Sequence, residues 1–212
     1  FKRKNIYDHL YGTNTSLFLS NKPLLKRSKE FIFIGRLDDS KGIVQLIKGF
    51  LNFMKYNPSS EWKLGIYGEG KLKPFVEKST EKCKNINFYG FAQKEAIAPA
   101  LGNARCLILP SFSDHWPLVV SEAALSGCGL IVSKVVGNIP EFCTKKNSFI
   151  LQKVTPDEIC SAMISFTKLS DQEVIDCQHE SMQLGKKYDL LGWKSSLDNI
   201  LEDFKIDPNR GD

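Results

Sequence analysis

The sequence predicts an α/β fold, a parallel sheet covered by helices on both faces, and three observations carry that reading. Short apolar runs bounded by turn residues recur along the chain, as in Phe31-Ile32-Phe33-Ile34 and Cys106-Leu107-Ile108-Leu109. Longer segments with helical periodicity separate them, and strands alternating with helices in this way form a parallel sheet. Finally, Asp114 and Glu122 stand at the two ends of a loop that leads from an apolar strand into a helix. The carboxyl edge of such a strand is where open α/β sheets bind ligands.

In chain order, Phe31 to Ile34 is the first strand, and Ile43 to Met54 follows as a helix with apolar residues at 43, 46, 47, 50, 51 and 54, an i, i+3, i+4, i+7 stripe. Lys63 to Tyr67 is the second strand, followed by a helix from Lys71 to Lys82. Ile86 to Tyr89 is the third, followed by a helix from Lys94 to Leu101. Cys106 to Leu109 is the fourth, bounded by the Pro110-Ser111 turn signal. The helix after it runs from Leu118 to Ser126, with Pro117 before it and Gly127 suited to end it in a left-handed conformation. Leu130 to Val132 and Phe149 to Leu151 complete a Rossmann-like sheet, and from Pro156 the pattern is helical over Asp157–Leu169, Asp171–Tyr188 and Leu191–Phe204. The expected organisation is a partly ordered connector at 1–30, a Rossmann-like domain at 31–188, and a C-terminal helix and tail at 189–212.

Composition sets bounds on function. A chain of 212 residues, 42% hydrophobic and 25% charged, is an ordinary globular domain with its own core. No apolar run approaches the ~20 residues of a membrane span, and no signal-peptide core opens the chain. It begins at Phe1 rather than Met, which suggests a piece of something longer. Six cysteines, Cys83, Cys106, Cys128, Cys143, Cys160 and Cys177, show no C-x-x-C pair and are expected to be reduced, mostly buried small hydrophobes of a cytoplasmic protein. The net charge of +5 fits a solvated surface, or attraction to phosphorylated ligands or an anionic membrane face. No basic run with interleaved aromatics argues for nucleic acid.

Residues with chemistry gather after the first and fourth strands. The helix opening at Leu118 and Val119 offers unpaired amides to a phosphate, and Glu122, a turn further on, can accept from hydroxyls beside it. Arg36 and Lys41 follow the first strand, where two cations suit a diphosphate, and fixed cations lower the barrier when charge builds on a departing diphosphate; solvated caps of the turn fit the same residues. Asp114 either acts on a ligand or caps the helix start. His115 either hydrogen-bonds a ligand at this edge, by the resemblance described below a sugar hydroxyl or phosphate, or stands uninvolved. The run Gly65 to Gly70 lacks the spacing of a dinucleotide fingerprint. His9, His115 and His179 show neither metal spacing nor a triad arrangement, so no metal and no cofactor is expected.

The segment from Pro110-Ser111 through Glu122-Ala123-Ala124-Leu125-Ser126-Gly127 resembles the E-x7-E region of retaining GT-B glycosyltransferases, especially family 4 of that classification. Gly35-Arg36-Leu37 with Lys41-Gly42, then Gly68-Glu69-Gly70, Asn87 to Phe91, and Gly137-Asn138-Ile139-Pro140-Glu141 fall in the same order. The resemblance covers about Phe31 to Phe204. It implies the C-terminal, donor-binding half of a GT-B fold, ending in additional helices, within a parent chain that adds an N-terminal acceptor-binding domain. It further implies transfer of a sugar from a nucleoside-diphosphate sugar to a glycan, polysaccharide or lipid-linked acceptor, with the isolated domain inactive and the parent at the cytoplasmic face of a membrane or peripherally associated with it. The alternative is a nucleotide-sugar binding module, or a degenerate homologue without transfer. By resemblance Arg36 and Lys41 bind the pyrophosphate, Glu122 the ribose, Asp114 the sugar near its reacting carbon, and the backbone of Ala92 and Gln93 the base. Asp114 departs from the motif by being one methylene shorter than glutamate, His115-Trp116-Pro117 replaces small Gly-rich residues, and Asn138 replaces the second glycine of a pair.

Overall fold

The computed structural model describes residues 12–188 and 190–205. Six strands form one sheet: β1 (Glu30–Ile34), β2 (Lys63–Tyr67), β3 (Ile86–Gly90), β4 (Cys106–Leu109), β5 (Gly129–Ser133) and β6 (Ser148–Leu151). They lie in the order β3-β2-β1-β4-β5-β6, all neighbours parallel. The chain therefore builds outward from β1 to β3, then returns to the other side of β1 to lay down β4. That reversal puts a topological switch point between β1 and β4, and loops leaving their carboxyl ends diverge there to open a crevice.

The helices are α1 (Thr15–Phe18), α2 (Ile43–Tyr56), α3 (Lys73–Lys82), α4 (Lys94–Asn103), α5 (Leu118–Leu125), α6 (Ile139–Phe142), α7 (Pro156–Thr167), α8 (Asp171–Lys187) and α9 (Leu190–Lys205). One layer pairs α2 with α7 and α3; the other joins α1, α4, α5, α6 and α8. The central strands are buried on both sides, β4 and β5 throughout, which is why they read as unbroken apolar runs. Phe31 stacks on Trp62 at 4.4 Å between ring centroids and meets Phe53 and Phe166 edge-on at 5.8 and 6.2 Å. These rings join β1 to α2 and α7. In α2 the apolar stripe differs from expectation at one end: Leu51 is exposed and Phe53 is buried, because Phe53 supplies the ring that reaches Phe31.

The helices expected from the sequence differ by one or two residues at their ends, and two of these differences have a clear local cause. The helix after β2 begins at Lys73, not Lys71, with Pro74 in its first turn, where a missing N–H costs nothing. The helix after β4 ends at Leu125, and Ser126 caps it before Gly127 at φ 77°. All six cysteines are free, four of them buried.

Of the stretch read as a connector, residues 1–11 lie outside the described residues. Further along, Phe18 and Leu24 are buried, the Ser126 hydroxyl donates to the Phe18 carbonyl at 2.8 Å, and the Leu24 N–H donates to Gln178 Oε1 at 2.7 Å. Arg27 is 3% exposed and spreads its guanidinium over the carbonyls of Lys22, Leu101, Ala104 and Ser126 at 2.6–3.3 Å. This segment is thereby fixed to the amino edge of β4 and β5. At the other end of the chain, α9 follows the sheet domain and residues 206–212 lie outside the described residues.

Candidate functional site

The loops after β1 and β4 face each other across the switch point. The turn Asp39–Lys41 follows β1, and Gly42, at φ 66°, closes it in the left-handed region. A Cβ at Gly42 would overlap the Pro110 carbonyl oxygen, so glycine lets this turn lie directly on the end of β4. The Phe112 N–H donates to the Ser40 carbonyl at 2.7 Å, tying the two loops. Their approach brings Lys41 and Asp114 together in an ion pair, both side chains being only 15% and 13% exposed.

The loop carrying Asp114 is held from its other side by the chain after β5. Asp114 forms a parallel bridge with Val136, and the Gly137 N–H donates to the Asp114 carbonyl at 3.0 Å. The amide of Asn138 donates to the Pro117 carbonyl at 3.0 Å, and Pro117 is the cap residue of α5. Asn138, noted in the sequence only as a replaced glycine, thus fixes the start of α5. No spacing rule marks such a side chain in advance. Ser111 Oγ, Asn138 Oδ1 and Glu141 Oε2 are buried without a hydrogen-bond partner among the described residues, all on the segments that leave β4 and β5.

As the first two residues of α5, Leu118 and Val119 carry amides that precede the first intrahelical bond. Leu118 is exposed and Val119 half-buried. Glu122 lies on the same helix, 8% exposed. Burial pushes its carboxyl above the ordinary 4.5, and Lys94, with its amine 3.9 Å away, pulls in the opposite direction. Lys94 opens α4 just beyond Ala92 and Gln93, and the sequence reading passed over it.

Arg36 stands 75% exposed at the end of β1, its guanidinium 3.4 Å from Asp38. It shares a cleft of about 260 Å³ with Ile34, Tyr67, Glu69, Phe91 and Ala92. Gln93, the cap residue of α4, is exposed beside it and spends its carbonyl on the amides of Ala96 and Ile97. The cleft is walled by apolar and aromatic side chains with a cation and a carboxylate at its rim, a shape that accepts a flat ring and orients its polar substituents. His115 is exposed; its carbonyl faces Gly137, where a Cβ would overlap it.

Arg36, Lys41, Asp114, Ala92, Leu118, Val119 and Glu122 therefore occupy one edge of one sheet. Of the residues that wall the cleft, Glu69 and Phe91 belong to motifs of the resemblance without a role of their own there, and Tyr67 to the second strand. Among the described residues no three His, Cys, Asp or Glu side chains come together as metal ligands. No helix among them is long and apolar enough to cross a membrane.

Residues 18–179 match the family described as glycosyl transferases group 1. The chain belongs to this family. It is 26% identical over 137 residues to an uncharacterized glycosyltransferase of Methanocaldococcus jannaschii, covering 62% of this chain and 34% of the relative. It is 27% identical over 111 residues to a glycogen synthase of Mycobacterium tuberculosis, covering 51% and 26%. The chain thus spans about a quarter to a third of the length of the curated relatives it matches. Among solved structures, the C-terminal domain of a glycosyl transferase group 1 family protein from Francisella tularensis superimposes with a TM-score of 0.71 at 19% identity, covering 84% of this chain and all of that one. Anabaena HepE in complex with UDP and glucose superimposes with a TM-score of 0.74 at 13% identity, covering 91% of this chain and 55% of that one. At these identities the likeness is one of fold. That fold is the C-terminal domain of a GT-B glycosyltransferase, a six-stranded parallel sheet ending in extra helices.

Proposed function

We propose that the switch-point crevice binds a nucleoside-diphosphate sugar, and that the chain is the donor-binding part of a retaining glycosyltransferase. The observation that carries this reading is the meeting of two cations, Arg36 and Lys41, the open amides of α5, and the buried Glu122 at one sheet edge. The apolar cleft beside Arg36 and Ala92 takes the base, with backbone groups at Ala92 and Gln93 within its reach. Glu122 accepts from the ribose hydroxyls, and the Leu118 and Val119 amides, with Arg36 and Lys41, receive the diphosphate. When the bond between the sugar and the diphosphate breaks, its electron pair passes to the diphosphate oxygen. Fixed cations at that place stabilise the departing charge. Asp114 faces the sugar, and His115 lies at the rim of the same loop.

The acceptor, a glycan, polysaccharide or lipid-linked hydroxyl, is supplied by an N-terminal domain of a longer parent chain, which works at the cytoplasmic face of a membrane or peripherally on it. Neither metal nor cofactor is required by the donor-set described. One observation favours a second reading, a module that binds the donor without transfer: Asp114, the residue nearest the motif's sugar-facing acid, is already engaged by Lys41.

A panel of UDP, GDP and ADP tests the first half by thermal shift and calorimetry. A ligand of the native state at a hundredfold excess over its Kd adds about 2.7 kcal/mol of stability, so one of the three is expected to raise the melting temperature. No binding to any of them at millimolar concentration overturns the reading. Turnover of the matching nucleotide sugar by the parent chain, lost in Asp114→Asn, separates the enzyme from the module.

A further inference from the structure

A second groove lies at the amino end of the same sheet, away from the crevice. It has a volume of about 440 Å³ and is bordered by Lys29, Glu30, Lys63, Asn87, Tyr89 and Arg105. Three facts show how it is built. The register Glu30↔Lys63 and Ile32↔Gly65↔Asn87, with alternation along each strand, sets Glu30, Gly65, Asn87 and Tyr89 on one face. Gly65 leaves that face bare: a Cβ there would lie 2.7 Å from Glu30 Oε1 and 3.4 Å from the Tyr89 ring, so a side chain would push the carboxylate off β2. Tyr89 is 51% exposed and stacks on Tyr67 at 4.6 Å with a 16° interplanar angle. Its ring is thus held flat.

The groups around this platform differ in how far they are committed. Lys29 pairs with Glu61 at 2.7 Å. Arg105 donates to the Leu25 and Arg27 carbonyls at 2.6 and 3.2 Å, and the Asn103 amide donates to the Ser28 hydroxyl at 2.8 Å. Glu30 is half-buried; its carbonyl accepts from the Arg105 N–H at 3.1 Å, but among the described residues its carboxylate receives no hydrogen bond. Burial pushes its carboxyl above the ordinary range, with Lys63 opposing. A half-buried carboxylate with no donor from the protein gains from the hydroxyl donors a ligand brings.

The groove sets an acceptor and donors side by side: Glu61 is paired with Lys29, Glu30 lies opposite Lys63, and Arg105 stands at the border. With the exposed Tyr89 ring beside them, this suits a molecule with many hydroxyls and one apolar face, which is the chemistry of a sugar ring. We propose that this groove holds a neutral sugar residue of a glycan chain, its apolar face on the Tyr89 ring and its hydroxyls donating to Glu30. The groove shares no lining residue with the cleft of the proposed donor crevice, although its Tyr89 stacks on Tyr67 of that cleft, and it does not depend on the donor reading. In a glycosyl transferase such a site keeps a growing or neighbouring glycan attached between turnovers by raising its local concentration.

The probe is an array of neutral gluco-, manno- and galacto-oligosaccharides beside acidic ones, followed by titration of the best binder with and without saturating UDP. Wild-type chain is expected to retain at least one neutral oligosaccharide, with affinity unchanged by UDP. Tyr89→Ala is expected to lower that affinity about tenfold by removing the platform, Glu30→Gln to lower it by about threefold to tenfold, and Tyr89→Phe to stay within about twofold. Should Tyr89→Ala fail to fold, Glu30→Gln decides alone, since it keeps the side-chain volume. Retention of no neutral oligosaccharide, full affinity in Glu30→Gln, or displacement by UDP overturns the proposal; the last outcome moves the glycan to the crevice.

Discussion

Among the described residues, Arg27 and Lys41 are withdrawn from solvent, and they are held in opposite ways. Arg27, at the amino edge of the sheet, gives its donors to four backbone carbonyls. Among the described residues it has no carboxylate partner, and burial lowers its pKa from 12.5. Three of the carbonyls belong to the segments before β4 and β5 and the fourth, of Lys22, to the segment before β1, so nothing can replace them without moving the chain. Lys41, at the carboxyl edge, is held by one side-chain carboxylate on a neighbouring loop. A ligand's phosphate can take that place, because Asp114 can turn away and the strands stay where they are. The difference separates a cation that fastens the fold from one available for exchange.

Removing each cation breaks the comparison most directly. Arg27→Ala leaves four carbonyls without a buried donor, and stability is expected to fall by about 3–4 kcal/mol. In a domain of this size that lowers the melting temperature by on the order of 10 °C, read by calorimetry. Lys41→Ala, and likewise Arg36→Ala, is expected to weaken nucleoside-diphosphate binding by about 1–3 kcal/mol, the size of a lost charge-assisted hydrogen bond. Their melting temperatures should shift far less than that of Arg27→Ala. A Lys41→Ala chain that unfolds, or that keeps full affinity, erases the distinction.

A smaller effect concerns proton linkage at Glu122. Its carboxyl titrates above 4.5 in the folded chain, so the native state binds a proton more readily than the unfolded one. This contribution to stability is greatest below pH 4.5 and declines as pH rises through the native value. Hydroxyl donors favour the charged form, so nucleotide affinity is expected to fall as pH drops into that window. Titrations of wild type and Glu122→Gln from about pH 7.5 to about pH 5 check this, the variant cancelling the nucleotide's own protonation. Parallel slopes for the two chains remove Glu122 from the ligand.

The central strands of this fold were legible because burial on both faces writes itself as an apolar run, β4 and β5 being buried throughout, whereas the edge strands β3 and β6 are only partly covered. Helix α6 was not legible, since four residues containing Pro140 carry no stripe. Arg27 was equally hidden: a cation in a polar segment gives no sign that carbonyls from residues about 75 to 100 positions away converge on it. At the candidate site, Arg36, Lys41, Asp114 and Glu122 could be read because motif order follows strand order. What joins them could not be read. The Lys41 ion pair, the Lys94 approach to Glu122 and the Asn138 hold on Pro117 each link loops from different strands, and local pattern carries no information about such contacts.

The central claim is that the two carboxylates of the Asp114–Glu122 segment do different work. Calorimetric titration of the tightest-binding nucleoside diphosphate into wild type, Glu122→Gln and Asp114→Asn tests it most directly. Glu122→Gln is expected to lose about 1–2 kcal/mol of affinity with the charged acceptor for the ribose. Asp114→Asn is expected to lose none, because weakening its hold on Lys41 leaves that amine free for the diphosphate. An Asp114→Asn chain that loses as much affinity as Glu122→Gln would contradict the account.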